Sequence, residues 1–196
     1  MSEYSLYATA VMATGTMQWE PLTVSELNHR SLWSIAARLG DRDALATTFQ
    51  SHFGLSLPNV QAATLSGPLC VRWSAPQQWF LSVDAHERGD RPSIADVTTT
   101  LSDYASVTEQ SDGWMALSIA GDATLATLEL LCPVDLSPRT FPIRKSIRTV
   151  VEHLGVQITR LPDAFEILTP RSSGRSFVHA LETAATSVCG PRTDQS

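Results

Sequence analysis

The chain has 196 residues, enough for one domain or for two small lobes sharing a core. It is 43% hydrophobic and 17% charged, with a formal net charge of −6 and no block of Lys and Arg, which argues against nucleic-acid binding by phosphate neutralisation. No stretch reaches the roughly 18 apolar residues of a membrane span, residues 1–15 lack the basic start of a secretory signal, and three scattered cysteines (Cys70, Cys132, Cys189) fit reduced cytosolic thiols better than a disulfide framework.

In chain order, residues 1–21 carry Tyr4, Leu6, Tyr7, Val11, Met12 and Trp19 without a clean period. They read as a frayed terminus or as an arm across a partner, with Tyr7 and Trp19 as its contacts. Residues 22–27 continue it as an extended piece. Residues 32–38 predict a strand, and 43–53 a helix with Leu45, Phe49 and Phe53 on one face and Gly54 as its stop. A loop around Pro58 leads to two strands, 69–73 and 79–83, joined as a hairpin, with Trp73 and Trp79 facing each other. Residues 84–91 are polar and turn-like. Pro92 opens a helix to about Tyr104, with Ile94, Val97 and Leu101 on one side. A short strand over 106–110 is followed by Asp112-Gly113, read as a hairpin turn into Trp114.

Residues 114–138 then read as a strand, a Gly121-Asp122 break with Asp122 as N-cap, a helix with Leu125 and Leu128, and an exit at Pro133. Strands over 147–153 and 156–160 pair. A turn at 161–163 leads to a strand over 165–168, and Ser172 or Ser173 caps a last helix to about Ala185. The tail from Gly190 looks frayed.

Two stretches say nearly the same thing. Trp33-x6-Gly40-Asp41 matches Trp114-x6-Gly121-Asp122, and Leu45-Ala46-Thr47 matches Leu125-Ala126-Thr127. Pro76-x-x-Trp79-x-Leu81 matches Pro162-x-x-Phe165-x-Ile167. With the leucine–proline exits Leu57-Pro58 and Leu136-Ser137-Pro138, four such matches in one order predict two copies of a supersecondary unit. The fold class is therefore α+β: two ferredoxin-like units duplicated in one domain, about 31–110 and 112–187, within a domain 22–189 flanked by an arm and a tail.

The search for chemistry finds no glycine-rich phosphate loop, zinc-protease motif, nucleophile elbow or C-x-x-C pair. His29, His52, His86, His153 and His179 are dispersed, without metal-ligand spacing. Glu152 and His153, adjacent on a strand, would face opposite sides and make a poor acid–base pair. Cys132 reads as a small buried hydrophobe, Asp135 as a turn residue, and Arg171-Ser172 as a cap with a structural Arg rather than an anion site. Trp73 and Trp79 read as a cross-strand core pair rather than a stacking site for a flavin or pteridine.

The run CPVDL (132–136), FPI (141–143), Arg148-Thr149 and RLPDAFEILTPRS (160–172), with RWSAPQQWFLSV (72–83) upstream, resembles the gamma subunit of heterotetrameric sarcosine oxidase. The likeness spans roughly residues 20–185. Where the family tends to have glycine, before the Cys and after the FP pair, this chain has Leu131 and Arg144. The resemblance implies a fold shared with folate-binding aminomethyltransferases. It also implies a non-catalytic subunit, cytoplasmic, in complex with alpha, beta and delta subunits, alpha being the expected direct contact. Such a complex oxidises sarcosine to glycine, yielding hydrogen peroxide and formaldehyde or 5,10-methylenetetrahydrofolate. FAD, FMN, NAD, tetrahydrofolate and zinc are then expected in partner subunits, with no catalytic, cofactor or metal residues in this chain. The alternatives are a stand-alone folate-binding or aminomethyltransferase-like protein, and the same subunit in an oxidase for a related N-methyl amino acid.

Overall fold

The computed structural model describes residues 9–84 and 94–193. The expected turn at 85–91, the Pro92 helix start and Tyr7 lie outside them. Strands β1 (Thr16–Trp19) and β2 (Leu22–Glu26) form a hairpin. The first unit follows: β3 (Arg30–Ala37), α1 (Arg42–Phe53), β4 (Ala63–Ser66), β5 (Leu69–Ala75), β6 (Gln78–Asp84), α2 (Ile94–Leu101) and β7 (Ala105–Glu109). The second contains β8 (Trp114–Ala120), α3 (Thr124–Glu129), β9 (Ser146–Val151), β10 (Leu154–Arg160), β11 (Phe165–Pro170), a single 3-10 turn and α4 (Gly174–Cys189).

The strands make two antiparallel sheets, ordered β4-β5-β6-β3-β7 and β1-β2-β8-β11-β10-β9. In each, the strand after the first helix lies at a sheet edge and the next two strands fill the space between it and the strand before the helix, a split arrangement related to that of a ferredoxin-like unit. The two orders superimpose: β3 corresponds to β8, β4 to β9, β5 to β10 and β6 to β11. The place of β7 is filled in the second sheet by β2, which comes from before the first unit. Residues 16–26 are thus part of the second sheet, which moves the expected domain start from 22 to 16 or earlier and takes 16–21 out of the expected arm.

Alternation along the strands sorts side chains into layers. Trp33, Ile35, Val71, Trp79, Leu81 and Val83 face α1 and α2, meeting Leu45, Phe49, Phe53, Val97 and Leu101. The helical residues recur at three- and four-residue spacing, one stripe of each helix. Met115, Leu117, Ile119, Val156, Ile158 and Ile167 face α3 and α4, meeting Leu128, Phe177 and Leu181. Between the sheets a third, smaller cluster joins Leu32 and Phe80 of the first to Ala116 and Leu168 of the second. Helices therefore lie outside and the sheets pack back to back.

Several local expectations are corrected. Residues 56–67 contain strand β4, not only loop. Asp112-Gly113 joins strands of different sheets, so it is a crossing and not a hairpin turn. Asp122 does not cap α3: the N-cap is Ala123, without a side-chain bond, and the helix is only six residues long. Ser173 stands at the N-cap of α4, but its hydroxyl makes no capping bond.

The duplication is present: the match of Trp79 and Leu81 with Phe165 and Ile167 holds, while the match at Trp33 is shifted. Ile35 pairs with Trp79 and Trp33 with Leu81, while Ile119 pairs with Phe165 and Leu117 with Ile167. The equivalent stretches are therefore Ser34-Ile35-Ala36 and Ser118-Ile119-Ala120, and Trp33 corresponds to Leu117. Trp114 points into the space between the sheets, where Phe80 meets it edge-on with ring centres 5.2 Å apart. An odd shift along a strand exchanges its faces, so the Trp33–Trp114 match cannot be structural.

Candidate interaction surface

The layer between the sheets carries much of the buried polarity. Arg72 on β5 donates from Nη1 to Glu166 Oε1 on β11 at 2.6 Å and from Nη2 to Ser82 Oγ at 2.8 Å. Neither Arg72 nor Glu166 has solvent exposure. Arg30 approaches the other carboxylate oxygen at 2.9 Å. Gln157 Nε2 donates to the Trp73 carbonyl and to Ser146 Oγ, and Ser146 shares a 2.8 Å bond with Thr159. These bonds link the two units and fill the space between them. Burial pushes the Cys70 thiol above its ordinary value, Arg72 pulling the other way, so Cys70 is held neutral and unreactive.

A second buried carboxylate, Glu26, accepts the backbone N–H groups of Val11 and Met12 at 3.1 and 2.7 Å. Arg171 lies 3.5 Å from Glu26 and donates to the carbonyls of Thr9, Asp112 and Trp114. Arg171 therefore ties the start of the chain to the junction between the units and has the structural role read from sequence. Asp135 Oδ1 accepts the Ser137 N–H at 2.9 Å, closing a turn, and that bond holds its carboxyl below the usual range. Cys132 is buried. Glu152 and His153 sit in the β9–β10 turn, both exposed, rather than in a strand. Trp73 faces Trp79 across the hairpin, and Trp79 Nε1 donates to the Pro58 carbonyl at 3.0 Å; Trp79 is core, and Trp73 is half-buried against it. Among the described residues no group of three or more His, Cys, Asp and Glu side chains is placed to hold a metal ion.

Trp19 is not a free anchor. It is 3% exposed, packs within the core under α4, and its Nε1 donates to Thr186 Oγ1 at 3.3 Å, with the Arg192 guanidinium over its ring. The expected partner contact at Trp19 is corrected: its indole is spent on holding the N-terminal hairpin to the last helix.

The duplication leaves two matching open grooves, where each unit's inner hairpin meets the start of its first helix. One, of about 370 Å³, is lined by Arg42, Pro58, Val60, Trp73, Pro76 and Trp79. The other, of about 440 Å³, includes Asp122, Thr124, Arg160, Pro162, Asp163 and Phe165. Arg160 is engaged there, donating to the Phe141 carbonyl and lying over the Phe165 ring. Neither groove gathers a nucleophile, a base and an orienting partner. What the molecule offers is surface, including exposed Leu39, Val60, Leu130, Ile143 and Val150. No helix among the described residues is long and apolar enough to cross a membrane.

The chain is similar to a chain of the heterotetrameric sarcosine oxidase from Corynebacterium sp. U-96, with 23% identity, a TM-score of 0.76 and 92% of each chain covered. It is also similar to the glycine cleavage system aminomethyltransferase T from Bartonella henselae, with 16% identity and a TM-score of 0.58. That match covers 81% of this chain and 44% of the aminomethyltransferase. No curated protein sequence matches. The family model for the sarcosine oxidase gamma subunit matches residues 39–187, from the end of β3 into the last helix. The duplicated sheets and the family match agree, and the chain belongs to the sarcosine oxidase, gamma subunit family.

Proposed function

We propose that this chain is a non-catalytic structural subunit of a heterotetrameric sarcosine oxidase, docking onto a large subunit, alpha, and holding the assembly in shape. The complex would convert sarcosine and oxygen to glycine, hydrogen peroxide and a one-carbon unit released as formaldehyde or captured by tetrahydrofolate. FAD, FMN, NAD, tetrahydrofolate and zinc would belong to its partners, in the cytoplasm. The observation that carries this reading is the family match over most of the chain. The filled space between the sheets supports it: Arg72, Glu166, Gln157 and Thr159 are all fully buried there.

Affinity-tagged chain, purified from its native host, should bring down larger flavin-bearing chains with sarcosine-dependent peroxide production. Recovery of the chain alone, together with micromolar tetrahydrofolate binding, would replace this reading with a stand-alone folate-binding protein.

A further inference from the structure

The net charge conceals a local inversion. Four of the fourteen cations, Arg139, Arg144, Lys145 and Arg148, fall within ten residues, and no acidic residue lies between Asp135 and Glu152. The rest of the chain holds ten cations against twenty carboxylates. Arg139, Arg144 and Arg148 are exposed, and Lys145 is half-buried. Ile143 and Val150 add apolar surface, 51% and 46% exposed.

The duplication supplies an internal control. Ala62 and Lys145 form an isolated antiparallel bridge between the two units. The Ala63 N–H donates to the Arg144 carbonyl at 2.8 Å and the Ser146 N–H to the Gln61 carbonyl at 3.0 Å. These bonds exchange when residues 61–63 are matched with 144–146, so a pseudo-twofold axis passes through the bridge. Gln61 and Arg144 share a left-handed backbone, with φ of 58° and 71°. Val60 corresponds to Ile143, both exposed. Residues 59–66 of the first copy carry no charge, whereas 142–149 of the second carry Arg144, Lys145 and Arg148. The turn and strand therefore form without cations, and the fold does not require them.

The segment is also rigid. Phe141 is fully buried beneath it, Lys145 Nζ donates to the Thr140 carbonyl at 3.0 Å, and the Arg144 N–H donates to the Arg160 carbonyl at 2.8 Å. Its arginine heads make no ion pair with any described residue. A fixed apolar centre with free cations around it is the composition of a docking patch whose partner supplies carboxylates. A symmetric dimer would set these cations against their own copies, a like-charge contact.

Resting on the function proposed above, we infer that residues 139–148, Ile143 among them, with Val60 beside them, dock onto an acidic, partly apolar face of a larger subunit of the oxidase. The test co-expresses the full chain with its oxidase partners as wild type, R144E/R148E, and R175E, the last a control on the exposed face of α4. The double variant should lower the co-purified fraction at least tenfold, while R175E and the mate-derived R144Q stay within about threefold of wild type. Independently of any variant, Lys145, the single lysine of the chain, should acetylate at least fivefold more slowly in the wild-type complex than in the free chain. Wild-type recovery of R144E/R148E together with unprotected Lys145 would overturn this surface and leave the subunit reading standing. Failure of the wild-type chain to assemble would overturn both. A dimer of the chain alone that R144E/R148E dissociates would reassign the surface to a second copy and overturn the proposal.

Discussion

Arg72 and Glu166 stand 94 positions apart, in different sheets, and meet at 2.6 Å with no solvent at either side chain. Removing one partner strands the other charge in the interior. Glu166→Leu should cost about 3–5 kcal/mol, whereas combining it with Arg72→Met should cost clearly less than the sum of those two single changes. Urea unfolding of the four proteins measures the coupling; simple additivity would show that the pair does not act as a unit.

Gly121 is held at φ 111°, and a Cβ there would sit 2.2 Å from the Pro21 carbonyl oxygen. This is the point where the N-terminal hairpin crosses β8. Gly121→Ala should therefore destabilise by about 2–4 kcal/mol through backbone strain and collision. Gly155→Ala meets open space and should stay within about 0.5 kcal/mol of wild type. Thermal unfolding of both variants checks the contrast.

Trp19→Ala should act on stability rather than on partner affinity. The side chain is buried beneath α4, so its loss should cost about 3–5 kcal/mol. Variant chain that remains folded at low temperature should still assemble. Loss of assembly by a fully folded Trp19→Ala chain would restore the direct-contact role.

The Cys70 thiol gives a pH signature. Burial raises its pKa above the ordinary 9.0, so the folded protein keeps a proton that the unfolded chain releases. The corresponding stability is fully present below pH 9 and falls as pH rises beyond it towards the folded value. Cys70→Ala should flatten the decline of the urea midpoint over about two pH units, from roughly pH 8.5 upward. An unchanged slope would assign the alkaline loss to other groups.

Much of the architecture was legible because its signals are local. Leu45, Phe49 and Phe53 with the Gly54 stop mark α1, and the alternation of 147–153 and 156–160 marks a strand pair; the structure has the helix and the pair, with the turn between the strands at 152–153. β4 escaped because Ala63–Ser66 is four residues long and has only two half-buried apolar or β-branched side chains, Thr64 and Leu65. The repeat was found but slipped, because a shared Trp is more conspicuous than Ser-Ile-Ala, and only the pairing partners fix which face a residue takes. The Arg72–Glu166 contact leaves no spacing signal, being made across two sheets. Trp19 misled for a related reason: an aromatic in an aperiodic terminal stretch looks free until the helix that covers it, at the other end of the chain, is in place.

β2 fills the last strand position of the second unit although it is synthesised before either unit. At translation rates of about 5–20 residues per second, β8 follows β2 by on the order of ten seconds. During that interval Met17, Trp19, Leu22 and Val24 have no sheet to join, because their neighbouring strand β8 belongs to the second unit. Once β8 and α4 arrive, the Thr193 N–H reaches the Gln18 carbonyl at 2.9 Å and strand β1 is fastened to the segment after α4. Proteolytic nicking at residues 110–113 should therefore give two fragments that elute together on gel filtration, held by a clasp between the N-terminal hairpin and the segment after α4.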